Sequence, residues 1–151
     1  KFKPLLYFTD MNTLKVHYEK TPEYKEFEKN EWPNADKEHY GSLLEWEEQR
    51  FFFESWENGN LAGVLHLRVT SGVAYIESLL VDQDYRRKGV GSALIKLAEK
   101  YAKKLKTHKI YLETGKNWNS KSFYLKMGYK ITGVLEKHYN KQDFVIFTKF
   151  L

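Results

Sequence analysis

The sequence predicts an α/β (α+β) fold, with a mixed, mostly antiparallel central sheet of about six or seven strands and helices on both faces. Three strand-like runs joined by short Gly-containing turns occupy the middle of the chain. Strand-like and helical segments alternate after them, which predicts strand–helix–strand connections within the same sheet. A chain of 151 residues has the length of one ordinary domain, so we expect residues 1–151 to form a single domain.

The beginning of the chain predicts one strand and one helix. The strand lies near residues 5–8 or near residues 14–18, and the sequence leaves both placements open. Thr21 and Pro22 predict the N-cap and the first residue of a helix, because Thr accepts a hydrogen bond from the first turn and Pro has no N–H to lose there. We expect this helix to continue to about Glu31.

A break in this helix is predicted at Trp32-Pro33, because a proline inside a helix removes a hydrogen bond and clashes with the preceding turn. A second short helix then begins at Asn34 or Asp36 and ends near Gly41. The first third of the chain therefore carries two helices in this prediction.

Three consecutive strands are predicted next, at residues 50–56, 61–69 and 75–81. Each run is rich in aromatic, leucine and β-branched residues. Asn58-Gly59 and Ser71-Gly72 separate the runs, and such pairs are typical of the tight turns of β-hairpins. We therefore expect the three strands to be antiparallel neighbours.

A long amphipathic helix is predicted at residues 90–105. Its apolar residues recur at spacings of three and four, as one buried helical face requires. They are Val90, Leu94, Leu97, Ala98, Tyr101 and Leu105. A strand at residues 109–114, a helix at 120–126 and strands at 129–135 and 143–150 complete the predicted order.

The segment between the third of these strands and the long helix, residues 86–91, reads RRKGVG and predicts a phosphate-binding loop. A phosphate there meets free backbone N–H groups and the positive end of the helix dipole. Gly89 and Gly91 carry no Cβ atom that would keep a ligand from the backbone. The loop matches neither a P-loop nor a dinucleotide fingerprint, and an ordinary basic loop is the alternative. Its candidate binding residues are Arg86, Arg87, Lys88, Gly89, Val90, Gly91 and Ser92.

The pattern Arg86-x-x-Gly89-x-Gly91 after a strand resembles the acyl-CoA loop of the GNAT superfamily, the acetyl-CoA-dependent N-acetyltransferases. Downstream, NWNSKSFYLKMGY resembles that family's segment in which an Asn is followed by a Tyr and then by a Gly-aromatic pair. Here these residues are Asn117, Tyr124, Gly128 and Tyr129. The likeness runs from about Glu54 to the last residue, and the earlier residues match only loosely.

This resemblance implies the GNAT fold and an enzyme that transfers acetyl from acetyl-CoA to a primary amine. The alternative is a non-catalytic acyl-CoA-binding or nucleic-acid-associated module of the same fold, which binds the cofactor without turnover. Release of free CoA in the presence of an amine mixture distinguishes the two.

Glu77 is the candidate general base, because a carboxylate in a mostly apolar strand is costly to desolvate unless it has a partner or a task. The alternative is a Glu on a solvent-facing edge or one paired with a lysine. The stretch resembles spermidine/spermine acetyltransferases, whose corresponding Glu is thought to act through water, although Ser78 stands where those enzymes carry an acid. Glu113 is the rival, by resemblance to ribosomal-protein N-terminal acetyltransferases. Its spacing to Asn117 is one residue shorter than theirs, a shift that could turn its side chain away from the site.

The resemblance also implies Tyr124 as the general acid, since a phenol is protonated at neutral pH and can donate to the departing thiolate. Core packing is the alternative for this residue. Asn117 is implied as a hydrogen-bond partner of the CoA arm, and a helix N-cap is its other role. Backbone groups of Leu79 and Val81 are expected to pair with pantetheine as an additional strand would.

The residue types that are missing narrow the chemistry. The chain has no cysteine, and its five histidines show no paired metal-ligand spacing, so we expect no metal, disulfide or thiol nucleophile. Without a cysteine, the acceptor is expected to attack the thioester directly. No apolar stretch reaches the ~18 residues of a membrane span and no signal peptide is recognisable, so a cytoplasmic protein without membrane contact is expected.

Charge is distributed unevenly. Residues 19–57 carry twelve acidic and five basic residues, whereas residues 86–151 carry sixteen basic and four acidic ones. Lysines on one helix and the phosphate loop account for much of the basic excess, so a nucleic-acid partner is not expected. The resemblance to the GNAT superfamily implies that the acidic segment lines the acceptor side of the active-site cleft. His138-Tyr139 is similar to the acceptor-side loop of peptide N-terminal acetyltransferases. We expect a cationic amine, either a peptide N-terminus or lysine, or else a polyamine or aminoglycoside, and leave open whether the protein is a homodimer.

Overall fold

The computed structural model describes residues 6–9 and 12–151, and the chain divides into two compact units, residues 1–44 and 45–151. The first unit contains a two-stranded hairpin and one long helix, and the second contains a six-stranded sheet with two helices. No helix among the described residues is long and apolar enough to cross a membrane.

The hairpin of the first unit consists of β1 (Leu6–Thr9) and β2 (Asn12–Lys15), which pair antiparallel. Both predicted strand positions therefore contain part of a strand, residues 6–8 in β1 and residues 14–15 in β2. Leu5 lies outside the described residues, and residues 16–18 follow β2 without strand structure.

Helix α1 (Pro22–Tyr40) begins and ends where its capping residues predict. The Thr21 hydroxyl accepts a hydrogen bond from the N–H of Tyr24 at 3.2 Å, as an N-cap does. At the other end Gly41 has a φ of 71° and donates its N–H to the Lys37 carbonyl at 3.1 Å. A left-handed glycine at this position is a common way to end a helix.

The predicted break at Trp32-Pro33 is wrong, because α1 continues through Pro33 to Tyr40 as one helix. Proline removes one backbone N–H, and the neighbouring Asn34 side chain donates to the carbonyl of Asn30 at 3.4 Å. Beyond the proline, Asp36 is buried and its carboxylate accepts the N–H of Leu44 at 3.2 Å. Local propensity predicts the break, but propensity is a weak guide, and the helix continues through the proline despite it.

The second unit begins with a meander of β3 (Gln49–Glu57), β4 (Asn60–Thr70) and β5 (Val73–Val81). The two residues of each connecting turn have positive φ angles, 50° and 79° at Asn58-Gly59 and 46° and 76° at Ser71-Gly72. That geometry belongs to the two-residue turns that match the twist of antiparallel strands. The predicted three-stranded meander is confirmed.

The remaining elements follow the predicted order. They are a short 3₁₀ turn (Gln83–Tyr85), α2 (Val90–Lys104), β6 (Lys109–Gly115), α3 (Ser120–Lys126), β7 (Lys130–Leu135), a second 3₁₀ turn (Tyr139–Lys141) and β8 (Phe144–Phe150). The sheet order is β3-β4-β5-β6-β8-β7. Neighbouring strands are antiparallel except β5 and β6, which are parallel. The predicted mixed, mostly antiparallel sheet is confirmed.

Helices α2 and α3 pack on one face of this sheet, which we call the core face. On β4, a Cβ atom at Gly63 would lie 2.9 Å from Val90 of α2, so glycine permits this close approach. On α3, the Tyr124 ring lies 5.6 Å from that of Phe147 on β8. The strand residues of the core face include Leu65, Leu67, Ala74, Ile76, Ile110, Leu112 and Phe147.

The opposite face carries polar and aromatic side chains, and we call it the site face. Strand residues alternate between faces, so these side chains occupy the positions between the core residues. They include His66 and Arg68 on β4, Tyr75 and Glu77 on β5, and Tyr111 and Glu113 on β6.

Candidate active site

The two parallel strands at the centre of the sheet separate after a short region of pairing. Strands β5 and β6 pair only from Val73 opposite Lys109 to Tyr75 opposite Tyr111. Beyond this point the two strands leave a gap that opens toward the end of β5. A gap between splayed strands is where an extended ligand can pair with backbone groups.

The predicted phosphate loop lies at the end of β5, beside this gap. Helix α2 begins after Gly89, and no side chain caps it. The N–H of Ala93 bonds to the Gly89 carbonyl at 2.9 Å, so the N–H groups of Val90, Gly91 and Ser92 precede the first helical hydrogen bond. The first turn contains no acidic residue. These donors, together with the helix dipole, suit a phosphate group.

The two loop glycines face different surroundings. Gly89 has a φ of 90°, and a Cβ atom there would meet no described atom within 4 Å. A Cβ atom at Gly91 would instead lie 3.5 Å from both Phe123 and Val81, which is ordinary packing distance. The open space expected at both glycines is therefore present at Gly89, whereas Gly91 faces its protein neighbours.

Basic side chains surround the loop, and one of them fixes it to the strand. Arg86 donates from Nε to the carbonyl of Val81 at 3.1 Å, while Arg87 adopts a positive φ of 60°. The Lys88 ammonium lies 5.5 Å from the ring centre of Tyr85. All three cations are exposed, and anions approaching α2 would meet them.

The predicted pantetheine-pairing residues lie on the β5 side of the gap. Leu79 pairs with Leu65, and Val81 pairs with Gly63, on the opposite edge of the strand. Both side chains are partly buried and pack against the core. Since the Val81 carbonyl already accepts from Arg86, ligand pairing at that residue would use its second lone pair or its neighbour.

Glu77 lies at a β-bulge, which sequence reasoning could not detect. Leu67 on β4 faces Ile76, and the next residue, His66, faces Ser78, so Glu77 is the additional residue of the bulge. Bulges re-aim side chains and are common beside active sites. Glu77 lies on the site face, because it follows Tyr75 by two residues along β5, and it is two residues beyond the last pairing of β5 with β6.

Glu77 has a cationic partner. Its Oε2 lies 2.7 Å from Nε of Arg68 and 3.5 Å from Nδ1 of His66. The Arg68 N–H is not directed at the oxygen, so this contact is an ion pair without a hydrogen bond. Arg68 itself donates to Glu48 at 2.8 Å and lies 4.9 Å from the Tyr75 ring. The side chain of Glu77 is 41% exposed, so it is held in place but open to solvent.

Glu113 lies on the site face with Glu77, and the one-residue shift in its spacing does not turn it to the core face. It follows Tyr111 by two residues, and the Tyr111 ring contacts that of Tyr75 at 4.8 Å. Burial raises the pKa of Tyr75, and the charge of Glu113 raises it further. The Oε2 of Glu113 lies 3.4 Å from Nε2 of His138. The two carboxylates thus occupy matching positions on either side of the gap.

Tyr124 is buried, with 7% of its surface exposed. Its ring contacts those of Phe123, Tyr129 and Phe147 on the core face. Tyr124 therefore packs in the core, as the alternative prediction for this residue stated. Burial raises the pKa of the phenol to about 12. A phenol this weakly acidic stays protonated and suits a hydrogen-bond donor to a thiolate better than one that gives up its proton completely.

Asn117 lies exposed in the turn between β6 and α3. The N-cap role considered for it is wrong, because Asn119 holds that position, without a capping hydrogen bond from its side chain. Between them, the Trp118 ring packs over Gly115, where any Cβ atom would collide with it. Asn117 is therefore free of the helix cap, and a role in holding CoA stays a prediction.

Sequence reasoning missed the residues that hold Glu77. Arg68 and His66 belong to the run LHLRV, in which polar and apolar residues alternate strictly. That alternation places both on one face of β4, and it is the signal that could have identified them. Their pairing with Glu77 depends on the strand register and the bulge, which the sequence does not reveal.

Comparison with known proteins matches residues 15–129 to the acetyltransferase (GNAT) family. Among solved structures, an acetyltransferase from Bacillus cereus is 25% identical, with 90% of this chain and 98% of that chain covered and a TM-score of 0.69. A Bacillus subtilis acetyltransferase in complex with CoA is 22% identical, with 81% and 86% covered and a TM-score of 0.64. No curated protein matches the chain significantly.

A third structure, the ribosomal-protein-S18-alanine N-acetyltransferase from Escherichia coli, is 22% identical, with 67% of this chain and 68% of that chain covered and a TM-score of 0.62. Similarity at this level shows the shared fold. The family match covers more than half of the chain and includes the α2 loop and the segment from Asn117 to Tyr129. The chain therefore belongs to the GNAT family of acetyltransferases.

Proposed function

We propose that this protein transfers the acetyl group of acetyl-CoA to a primary amine by direct attack of the amine on the thioester. The observation that carries the proposal is the gap between β5 and β6, which has an uncapped helix N-terminus at its end and a carboxylate on each side. The nearby cations fit a phosphate-containing ligand, and the carboxylates fit an amine that must lose protons.

Acetyl-CoA supplies an activated acetyl group, and the protein supplies the site for it. The N–H groups of Val90, Gly91 and Ser92 are the proposed donors to the pyrophosphate, with Arg86, Arg87 and Lys88 as counter-charges. The open space at Gly89 admits a phosphate close to the backbone. Leu79 and Val81 are the proposed pairing partners of the pantetheine arm, and Asn117 that of an adjacent polar group.

Glu77 is the proposed general base. Its carboxylate lies on the site face beside the gap, and its exposure allows a water molecule to bridge it to the acceptor. Arg68 holds the carboxylate in position but also competes with the acceptor for its charge. If Glu77 acts through a bridging water and not by direct contact with the amine, Arg68 can position its carboxylate without blocking proton transfer.

Tyr124 is the proposed donor to the sulfur of the leaving group. Its phenol is protonated at every pH at which the reaction would run, since burial raises its pKa to about 12. A hydrogen bond to the sulfur stabilises the negative charge that develops as the C–S bond breaks.

A cationic acceptor is proposed from the charge of the chain. Residues 19–57 carry twelve acidic and five basic residues, and such a surface attracts cations and repels anionic substrates. Two of the structural neighbours are by name a ribosomal-protein-S18-alanine N-acetyltransferase and a nourseothricin acetyltransferase, which supports both a peptide amine and a small-molecule amine.

The experiment is an acceptor screen that follows CoA release with acetyl-CoA and a panel of peptides, polyamines and aminoglycosides. Stimulation by at least one primary amine is expected, with formation of the N-acetyl product. If acetyl-CoA raises the melting temperature but no amine stimulates CoA release, the protein is an acyl-CoA-binding module and the proposed activity is wrong.

A further inference from the structure

His138 presents a buried nitrogen that its surroundings do not satisfy. The Nε2 atom is buried and has no hydrogen-bond partner within the described part of the chain. It lies 3.4 Å from Oε2 of Glu113, close enough for an ion pair but not aligned as a hydrogen bond. Buried nitrogens are nearly always bonded, so this one requires a functional or structural reason.

The loop that carries His138 has a strained backbone on both sides of this residue. Lys137, Asn140 and Lys141 have φ angles of 48°, 51° and 59°, a region that residues other than glycine rarely adopt. Asp143 holds the strained conformation by accepting the N–H of Lys137 at 3.1 Å. Strain of this kind persists where the surrounding structure fixes it, and it concentrates at functional positions.

Neighbouring rings fix the plane of the imidazole. The His138 ring lies 4.1 Å from that of Tyr139 and 5.3 Å from that of Phe144. The loop and these rings therefore hold Nε2 toward Glu113. The titratable and charged groups in and next to this loop are Glu113 on β6, Tyr75 on β5, Lys116 after β6, and Glu136, Lys137, Tyr139, Lys141 and Asp143 of the loop itself.

The proposed reaction removes two protons from the acceptor nitrogen, at two different stages. An ammonium acceptor carries three protons on nitrogen, and the amide product carries one. One proton must leave before attack, because an ammonium nitrogen has no lone pair, and the second leaves as the N–C bond forms and the C–S bond breaks. In total, one proton ends on the sulfur of CoA and one passes to solvent.

We propose that His138, held against Glu113, accepts the proton that the ammonium loses before attack. Glu77 accepts, through water, the proton that leaves during attack. The inference rests on the proposed function. A neutral imidazole has one nitrogen free to accept a proton, and the Glu113 carboxylate, 3.4 Å from Nε2, supplies a counter-charge for the cation that forms. Because Nε2 is buried against Glu113, Nδ1 is the nitrogen that accepts the proton in this proposal, and the 32% exposure of the side chain as a whole gives that proton a route to solvent.

The test compares two classes of acceptor. His138→Gln should lower kcat/KM for an alkylamine about 10²-fold at pH 7, and the deficit should shrink as rising pH supplies free amine. A weakly basic aromatic amine, already neutral at pH 7, should react equally well with both proteins. Glu113→Gln should give the same pattern. His108→Gln is the control: this exposed histidine directly precedes β6, and the variant should match wild type.

The two proposals fail in different ways. Equal kcat/KM of wild type and His138→Gln with alkylamines at every pH would overturn the role of His138 and leave the transferase intact. An equal loss with both acceptor classes would also overturn it, since it would indicate a structural effect. A wild-type protein that acetylates no amine would instead contradict the proposed function. An unchanged acetyl-CoA-induced rise in melting temperature verifies that each variant keeps its cofactor site.

Discussion

Replacing Gly89 with alanine tests the phosphate loop with little disturbance of its protein neighbours. Gly89 has a φ of 90°, and an added Cβ atom would meet no described atom within 4 Å. The methyl group therefore enters open space next to the first turn of α2, and in the proposed binding mode a phosphate occupies that space. In the free protein the cost is backbone strain of about 1–2 kcal/mol.

Gly59→Ala is the matched control. Gly59 has a φ of 79° in the turn between β3 and β4, and its Cβ position is equally empty. For a chain of 151 residues, ~1–2 kcal/mol lowers the melting temperature by about 2–8 °C in either variant. The two variants therefore carry similar strain, and they differ in whether the methyl group faces the proposed ligand.

The assay is thermal unfolding with and without acetyl-CoA. At about 100 times its Kd, a ligand that binds only the folded state stabilises by about 2.7 kcal/mol, which corresponds to roughly 5–11 °C for a domain of this size. Wild type and Gly59→Ala should both show this rise, and Gly89→Ala should lose most of it. Equal rises in the two variants, or no rise in wild type at millimolar acetyl-CoA, would refute the assignment of the loop.

Three further predictions concern the reaction and the fold. Glu77→Gln and Tyr124→Phe should each lower kcat by about 10²- to 10⁴-fold with nearly unchanged acetyl-CoA affinity, and full activity of Glu77→Gln from pH 6 to 9 would transfer its role elsewhere. Pro33→Ala should raise the free energy of unfolding by up to about 3 kcal/mol, because the proline lies inside α1. Denaturant titrations measure this change, and a loss of stability would contradict the continuous helix. Lys149→Met should cost about 1.5–3 kcal/mol, because the lysine binds both carboxylate oxygens of Glu99 at 2.9 Å, and adding Glu99→Gln should recover part of the loss.

The elements that sequence reasoning predicted well are those governed by local signals. The caps of α1 at Thr21 and Gly41 and the two hairpin turns depend on residues close together in the chain. The predicted apolar face of α2 is right at Val90, Leu94 and Ala98. It is wrong at Leu97, which is 49% exposed, and it omits the buried Ile95 and Ala102. The loop after β5 was also recognisable, since its glycines and cations lie in one short segment. Such signals act over a few residues, so a single sequence reveals them.

The errors and omissions involve contacts between distant residues. The prediction of a break at Pro33 rests on local helix propensity alone, and α1 continues through this residue. The contacts of Glu77 with Arg68 and His66 depend on the register of β4 with β5, which changes at a bulge. The place of Glu113 on the same face depends on the separate register of β5 with β6. A one-residue change in pairing reverses the face of every later side chain, so the site could be predicted by residue type but not by arrangement.

The central claim is that the gap between β5 and β6 brings acetyl-CoA and a primary amine together for direct transfer. Mass spectrometry of the acceptor, combined with a count of the CoA released, tests it most directly. The account predicts one N-acetylated amine for each CoA, from a reaction that slows with added salt when the acceptor is cationic. CoA release that amines do not accelerate, or that yields no N-acetyl product, would contradict it.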